Sequence, residues 1–326
     1  MALESILISE GNRRGGVGGT PLYRILHQEI PDGVSVLAKL EGGEPTGSIK
    51  DRAAEMIIKE LLEGNNRVVV RDGDVFTERR LEYREGLTVL DSSSGNYGVS
   101  LAHYCRLNGL PLQLVVPGNI PEGLLQKIRG YGIEPIVTGS VEGYHGALAK
   151  VKELARQPSF LYVNQYDNLG NLHAHYDGTG REIWEQTQRK ATHFVAGVGT
   201  GGTLIGVAAY LKEQNPRIEA YSVHPDSDFP GIQGLQPLVD GEIHSNIFMA
   251  NRHLVDGGFG ITTDEVVKYW NELLDAGLEV GMSSGANLAG VVKLIRERNL
   301  TKGIIVTVLP DNFDRYKDMP HILKIV

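Results

Sequence analysis

Glu44-Pro45-Thr46-Gly47-Ser48-Ile49-Lys50-Asp51-Arg52 is the stretch on which the fold turns. Ahead of it, Val34–Leu40 is an apolar, valine-rich run that predicts a strand. Behind it, Ala53, Ala54, Ile57, Ile58, Leu61 and Leu62 recur at helical spacing, and Gly64 supplies the stop. Pro45 and Gly47 end the extended segment, while Ser48 and Asp51 have the Ser-x-x-Asp spacing of a capping box. The stretch is therefore a strand-to-helix junction with Lys50 in the first helical turn. Positive potential at that end disfavours an ammonium and lowers the pKa of an amine. A lysine so tuned suits Schiff-base chemistry. On these nine residues alone, a solvated first-turn lysine explains the pattern equally well.

The same alternation continues in both directions. Strands are predicted over 87–90, 112–116, 133–138, 193–198, 220–223, 279–282 and 303–309. Helices are predicted over 99–107, 124–131, 146–155, 204–213, 263–276 and 287–298. Strands alternating with helices imply an α/β class with mostly parallel, twisted sheets flanked by helices. Two segments break the rhythm. Residues 65–86 are dense in charge around Asp72-Gly73 and read as an inserted β-hairpin. Residues 225–261 are loop-rich, as segments over an α/β site commonly are.

At 326 residues the chain has room for two domains. A net charge of −8 argues against nucleic acid as the main partner. Cys105 is the single cysteine, so no internal disulfide forms, and its apolar helical setting makes it a core residue. No apolar run reaches membrane-spanning length and no signal-peptide pattern stands at the start, so a cytoplasmic location is expected. The 41 glycines gather at strand-to-helix turns, which marks those turns as places of close backbone approach.

Three further junctions carry chemistry. Asp91-Ser92-Ser93-Ser94-Gly95-Asn96-Tyr97-Gly98 joins hydroxyls to a helix N-terminus and would seat a carboxylate. Gly197-Val198-Gly199-Thr200-Gly201-Gly202-Thr203 offers bare amides and two hydroxyls to a phosphate. It also satisfies G-x-G-x-x-G, so a dinucleotide-dependent oxidoreductase built on Gly197–Gly202 is an alternative; against it, His224-Pro225-Asp226 follows the next strand and sets no acid cleanly at its tip. Met282-Ser283-Ser284-Gly285-Ala286 is the third junction, expected as a capped turn between a strand and a helix. His173 and His175 alternate without a third ligand, so no metal site is expected.

An amine for an imine, a carboxylate seat and a phosphate seat together describe an amino acid joined to pyridoxal phosphate. The chain resembles the cysteine synthase / cystathionine β-synthase group of fold-type II pyridoxal-phosphate enzymes nearly end to end. Val17-Gly18-Gly19-Thr20-Pro21-Leu22 is similar to the group's N-terminal Gly-Asn-Thr-Pro-Leu, with glycine for asparagine. The Lys50 segment resembles its Schiff-base motif, and 93–98 its Thr-Ser-Gly-Asn-Thr-Gly loop. Asn164-Gln165-Tyr166, His175-Tyr176 and Thr179-Gly180-Arg181-Glu182-Ile183-Trp184 resemble the segment before its phosphate loop, which 199–203 matches. Ser283-Ser284-Gly285-Ala286 resembles its pyridine-nitrogen turn, and Pro310-Asp311 with Arg315-Tyr316 its closing strand motif.

The resemblance implies a tryptophan synthase β-like pair of α/β domains. One is smaller and mobile, over 41–160, with the extra hairpin at about 65–86. The other covers 1–40 plus 161–326 and binds the cofactor phosphate. It implies Lys50 as Schiff-base lysine and general base, and Asn96 at the cofactor's 3′-oxygen. Gly199, Thr200, Gly201, Gly202 and Thr203 would bind the phosphate, Ser283 the pyridine nitrogen, and Ser93, Ser94, Tyr97 and Gln165 the substrate carboxylate. The implied reaction is β-replacement on an O-activated L-serine through aminoacrylate, with sulfide as the default nucleophile. Cystathionine or 2,3-diaminopropionate formation, β-elimination of an ammonia-lyase type, and a non-catalytic binding protein are alternatives. A homodimer is implied, and the hairpin is a candidate docking surface for a protein partner. Three departures bear on substrate: Tyr97 for threonine, Asn312-Phe313 for Ser-Gly, and the hairpin. Arg252 is the sole arginine across 225–261, which favours a neutral leaving group such as acetate over phosphate.

Overall fold

A computed structural model describes residues 3–11, 16–226, 232, 234–237 and 245–316. The chain divides into two units, Lys50–Ala174 and the larger Met1–Ile49 with His175–Val326. Both are α/β.

The larger unit is built on one seven-stranded sheet. Its spatial order is Glu4–Ser9, Leu22–Leu26, Val34–Leu40, Gly303–Leu309, His193–Gly197, Glu219–Pro225, Gly257–Ile261. The first three strands form an antiparallel meander, and every later pairing is parallel. Val34–Leu40 lies in full register against Gly303–Leu309, so strands far apart in sequence share the sheet's centre. Both are rich in buried valine, leucine and isoleucine, as central parallel strands covered on two faces must be. Helices Thr263–Asp275 and Met282–Glu297 bury Trp270, Leu273, Leu288, Val291 and Ile295 in the core over this sheet.

The smaller unit has a four-stranded parallel sheet in the order Ile136–Val137, Leu112–Val116, Thr88–Ser92, Phe160–Tyr162. Helix Lys50–Leu62 buries Ala53, Ala54, Ile57, Ile58 and Leu61, the apolar set its sequence spacing marked. The hairpin is present as Arg67–Asp72 paired antiparallel with Val75–Arg80, and Gly73 takes the positive φ of +58° that its two-residue turn needs. Its root is fixed by a buried reciprocal pair: Asn66 Nδ2 donates to Asn168 Oδ1 and Asn168 Nδ2 to Asn66 Oδ1, each at 2.9 Å. The tip is open, with Val75 at 61% exposure.

Several expected elements change. The strand expected over 279–282 is absent: Val280 makes a single bridge to Asn312, its carbonyl accepts from Trp270 Nε1 at 2.7 Å, and a helix begins at Met282. That carbonyl is consumed by a side chain, which leaves no ladder to extend. The strand expected over 133–138 shrinks to Ile136–Val137. Residues 225–261, expected as loop, contain helix Asn246–Ala250 and edge strand Gly257–Ile261, while 227–231, 233 and 238–244 lie outside the described residues. Among the described residues no helix is long and apolar enough to cross a membrane.

Candidate active site

In the larger unit, the loop after strand His193–Gly197 leads into helix Gly202–Gln214. Three successive carbonyls of this loop are tied down on one side. Gln236 N donates to Val198 O at 2.8 Å, Gln236 Nε2 to Gly199 O at 2.7 Å, and Ser245 Oγ to Thr200 O at 2.6 Å. In a trans peptide the N–H points opposite to the C=O. Pinning these carbonyls therefore aims the N–H groups of Gly199, Thr200 and Gly201 to the other side, at the N-terminus of the helix, whose first N–H, that of Gly202, lies 3.4 Å from Thr200 Oγ1. The glycines are needed sterically. A Cβ on Gly199 would stand 2.3 Å from Gly234 O, and one on Gly201 2.8 Å from Phe248 Cβ, with Gly201 at φ +81°. Hydroxyls of Thr200 and Thr203 flank the amides. Thr203 Oγ1 lies 3.1 Å from His175 Nε2. The donor set is neutral and convergent, which suits a phosphate monoester.

The junction at 282–286 is the first turn of helix Met282–Glu297 rather than a loop before it. Gly281 caps it so closely that a Cβ there would sit 2.0 Å from Asp311 Oδ1. Ser283 is 7% exposed. Beside it the buried Ser284 hydroxyl has no hydrogen-bond partner among the described residues. Asn287, one turn on, accepts from Gly197 N and donates to Val308 O, both at 2.7 Å, and so locks the helix to two strand ends.

The chain reaches Lys50 through a braced segment. Gly18 N donates to both oxygens of the buried Glu44 at 3.1 Å, and Thr20 Oγ1 to Glu41 at 2.7 Å. Fully buried Lys39 donates to Thr20 O at 3.0 Å, and to Gln186 and Glu182 each at 2.8 Å. Ile49 N donates to Pro310 O at 2.8 Å, Ser48 bridges to Asp311, and Asn312 Nδ2 lies against Gly47, where a Cβ would come within 2.6 Å of it. Lys50 then opens its helix half-buried, with the charged pair Asp51 and Arg52 buried behind it.

In the smaller unit, Ser93 hydroxyl is turned into its own loop: it accepts from Gly98 N at 2.9 Å and Gly95 N at 3.2 Å and donates to Gly95 O at 3.2 Å. Ser94 is exposed and Asn96 half-buried at the start of helix Asn96–Leu107. Tyr97 is buried at 2% exposure. Gln165 is brought to this loop, its N–H donating to Asp91 Oδ2 at 3.2 Å. Asp91 Oδ1 also accepts from Ser92 N at 2.8 Å. Complete burial pushes the Asp91 carboxyl up to about 7, against the backbone hydrogen bonds from Ser92 and Gln165 that pull it down. Burial likewise raises the Cys105 thiol to about 12, so it is no nucleophile.

Thus Ser93, Ser94, Asn96, Tyr97 and Gln165 share one loop region of the smaller unit, and Gly199 to Thr203 form one anion seat in the larger. Sequence reading missed Gln236 and Ser245, which aim that seat's amides, and it placed Asp91 in the serine junction without its tie to Gln165. Only a carbonyl's partner identifies such residues, and composition carries no trace of it. His173 pairs with Glu60 at 2.6 Å while His175 faces two threonines; among the described residues no three His, Cys, Asp or Glu side chains gather for a metal.

The family described as pyridoxal-phosphate dependent enzyme matches residues 13–311. The chain is 37% identical over 309 residues to a cysteine synthase of Aquifex aeolicus (strain VF5), covering 92% of this chain and 88% of that one. A cysteine synthase (OASS) crystal structure from Entamoeba histolytica superposes with a TM-score of 0.83 at 27% identity, over 97% of this chain and 92% of that one. An O-acetylserine dependent cystathionine β-synthase structure from Helicobacter pylori gives a TM-score of 0.76 at 31% identity, over 93% of this chain and 95% of that one.

Proposed function

The chain belongs to the pyridoxal-phosphate dependent enzyme family, and from that premise we propose that it is a cysteine synthase, exchanging the β-substituent of O-acetyl-L-serine for sulfide. The observation that carries the reading is the neutral anion seat at 199–203, whose carbonyls are pinned away from the ligand by Gln236 and Ser245. Its glycines leave the space a phosphate needs, so the residues fit the cofactor.

When bound, pyridoxal phosphate withdraws electrons from the substrate's Cα and so labilises both the α-proton and the Cβ substituent. Lys50 would hold the cofactor through Nζ and, once released, move the proton at Cα. Gly199, Thr200, Gly201, Gly202 and Thr203 would grip the phosphate. Asn96 would hydrogen-bond the cofactor's 3′-oxygen. Ser283 would face the pyridine nitrogen with a neutral hydroxyl, which does not enforce a charge there and favours prompt departure of a Cβ group over other fates. Ser94, Gln165 and the amides of their loop would hold the substrate carboxylate, with Ser93 and the buried Tyr97 setting the loop's shape. Arg252 stands exposed on the turn Arg252–Leu254, which supports acetate rather than phosphate as the leaving group. A cytoplasmic homodimer completes the proposal, and sedimentation equilibrium tests its stoichiometry.

Product identification by mass tests the reading. O-acetylserine with sulfide should yield cysteine. Cystathionine with homocysteine, diaminopropionate with ammonia, or pyruvate without any nucleophile, each formed faster than cysteine, would replace it.

A further inference from the structure

Thr203 can serve an anion only if its hydroxyl proton is free to point at it, and a buried histidine stands behind that hydroxyl. His175 is 1% exposed, with Nε2 3.1 Å from Thr203 Oγ1 and Nδ1 2.9 Å from Thr179 Oγ1; Thr179 is fully buried. A neutral imidazole has one donor and one acceptor, so two arrangements exist. If Nε2 is the acceptor, it takes the Thr203 proton and turns that oxygen's lone pairs toward the anion, which repels it. If Nε2 carries the proton, it donates to Thr203 Oγ1, Nδ1 accepts from the Thr179 hydroxyl, and the Thr203 proton is left for the ligand. Both arrangements satisfy the two ring nitrogens, since in the first Nδ1–H donates to Thr179 Oγ1, but only the second supplies a donor to an anion.

The backbone around His175 is shaped for this contact. Residues Ala174–Gly180 form a π-helical turn, a rare conformation that collects at functional sites. The turn is pressed onto the helix that starts at the anion seat: a Cβ on Gly180 would lie 2.9 Å from Tyr210 Cβ and 3.3 Å from Val207 Cα. Tyr176 and Tyr210 add an edge-to-face ring contact at 5.4 Å. A glycine and a widened turn thus hold the imidazole against Thr203.

We propose that His175 is a positioning residue for the cofactor phosphate, in a relay running Thr179 hydroxyl to His175 Nδ1 and His175 Nε2–H to Thr203 Oγ1, which commits the Thr203 proton to the phosphate. The proposal rests on the assignment of 199–203 as the phosphate seat, and its test separates the two. Apoprotein is titrated with pyridoxal phosphate, and the bound phosphate is followed by 31P NMR. His175→Phe fills the space but makes neither bond. It should weaken the cofactor roughly tenfold, the loss of about one hydrogen bond to a charged group, and shift the phosphate resonance. His175→Gln keeps a donor near the Nε2 position and should bind within about threefold of wild type by the same reckoning. On a Thr203→Val background, His175→Phe should add nothing. An equal loss on that background means His175 acts only as core packing and overturns the relay, as does an unchanged affinity and resonance in His175→Phe. If Thr203→Val itself binds like wild type, the seat assignment fails and the relay with it. Should the phenylalanine variant not fold, 15N NMR of the wild-type ring decides: a protonated Nε2 is expected, and a protonated Nδ1 overturns the proposal.

Discussion

Replacing Gly199 with alanine strikes the anion seat where the geometry is least forgiving. The new Cβ would stand 2.3 Å from the carbonyl oxygen of Gly234, about an ångström inside contact distance, and its obstacle is backbone rather than a side chain that can rotate away. The loop must therefore move by something near that amount. Its amides are aimed by hydrogen bonds of 2.6–2.8 Å to Thr200 O, Gly199 O and Val198 O, and a shift of that size misdirects one or two of them. Each amide bond to a charged oxygen contributes about 1.5–3 kcal/mol, so roughly 2–4 kcal/mol of binding is lost. That corresponds to a cofactor affinity lower by roughly 30- to 1000-fold. The assay is titration of hydroxylamine-stripped apoprotein with pyridoxal phosphate, read by visible absorbance and tryptophan fluorescence. Gly123→Ala is the control, since a Cβ there meets nothing within 4 Å. If Gly199→Ala takes up the cofactor within a factor of about three of wild type, less than 1 kcal/mol, the pinned-carbonyl argument is wrong.

Asp91 supplies a pH prediction. Its folded pKa of about 7 lies above the 3.8 of an unperturbed aspartate, so the folded state holds the proton more tightly. The resulting penalty is absent below pH 3.8, grows through the window, and is full above pH 7. At about 1.4 kcal/mol per unit, the unfolding free energy of wild type relative to Asp91→Asn should fall by about 3 kcal/mol between pH 5 and pH 8; a flat or rising difference in urea melts contradicts it. Gly281→Ala would set a Cβ 2.0 Å from Asp311 Oδ1 and 2.6 Å from Tyr316 Cε2, and should cost about 1–3 kcal/mol in chemical denaturation. Asn168→Ala removes the donor to the buried Asn66 Oδ1 at the hairpin root and should cost about 1–3 kcal/mol, with faster proteolysis inside 65–86; unchanged cleavage would show that the root is held by other means.

Several parallel strands are legible because each is a short apolar run bounded by glycine or by a helix start, and Val34–Leu40, Leu112–Val116 and Gly303–Leu309 end where the pattern ends, whereas the three-residue Phe160–Tyr162 is too short to carry a pattern. Gly257–Ile261 was not, since Gly-Gly-Phe-Gly-Ile carries little strand propensity and forms only because Glu219–Pro225 offers it an edge. The 279–282 run shows the converse. It has strand composition, but its pairing stops at the single bridge from Val280 to Asn312, and Trp270 takes the Val280 carbonyl. At the site, residue types at helix starts could be read directly: Lys50 opens its helix, and Gly201 caps the next seat in the left-handed conformation. What Ser93 does with its hydroxyl could not. That oxygen is spent on Gly95 and Gly98, a matter of local turn geometry that its residue type leaves open.

Borohydride reduction of the holoprotein followed by peptide mapping is the most direct test of the whole account. A pyridoxyl adduct on the peptide containing Lys50 is the predicted result. An adduct on another lysine, such as the buried Lys39, or no adduct at all, would contradict it.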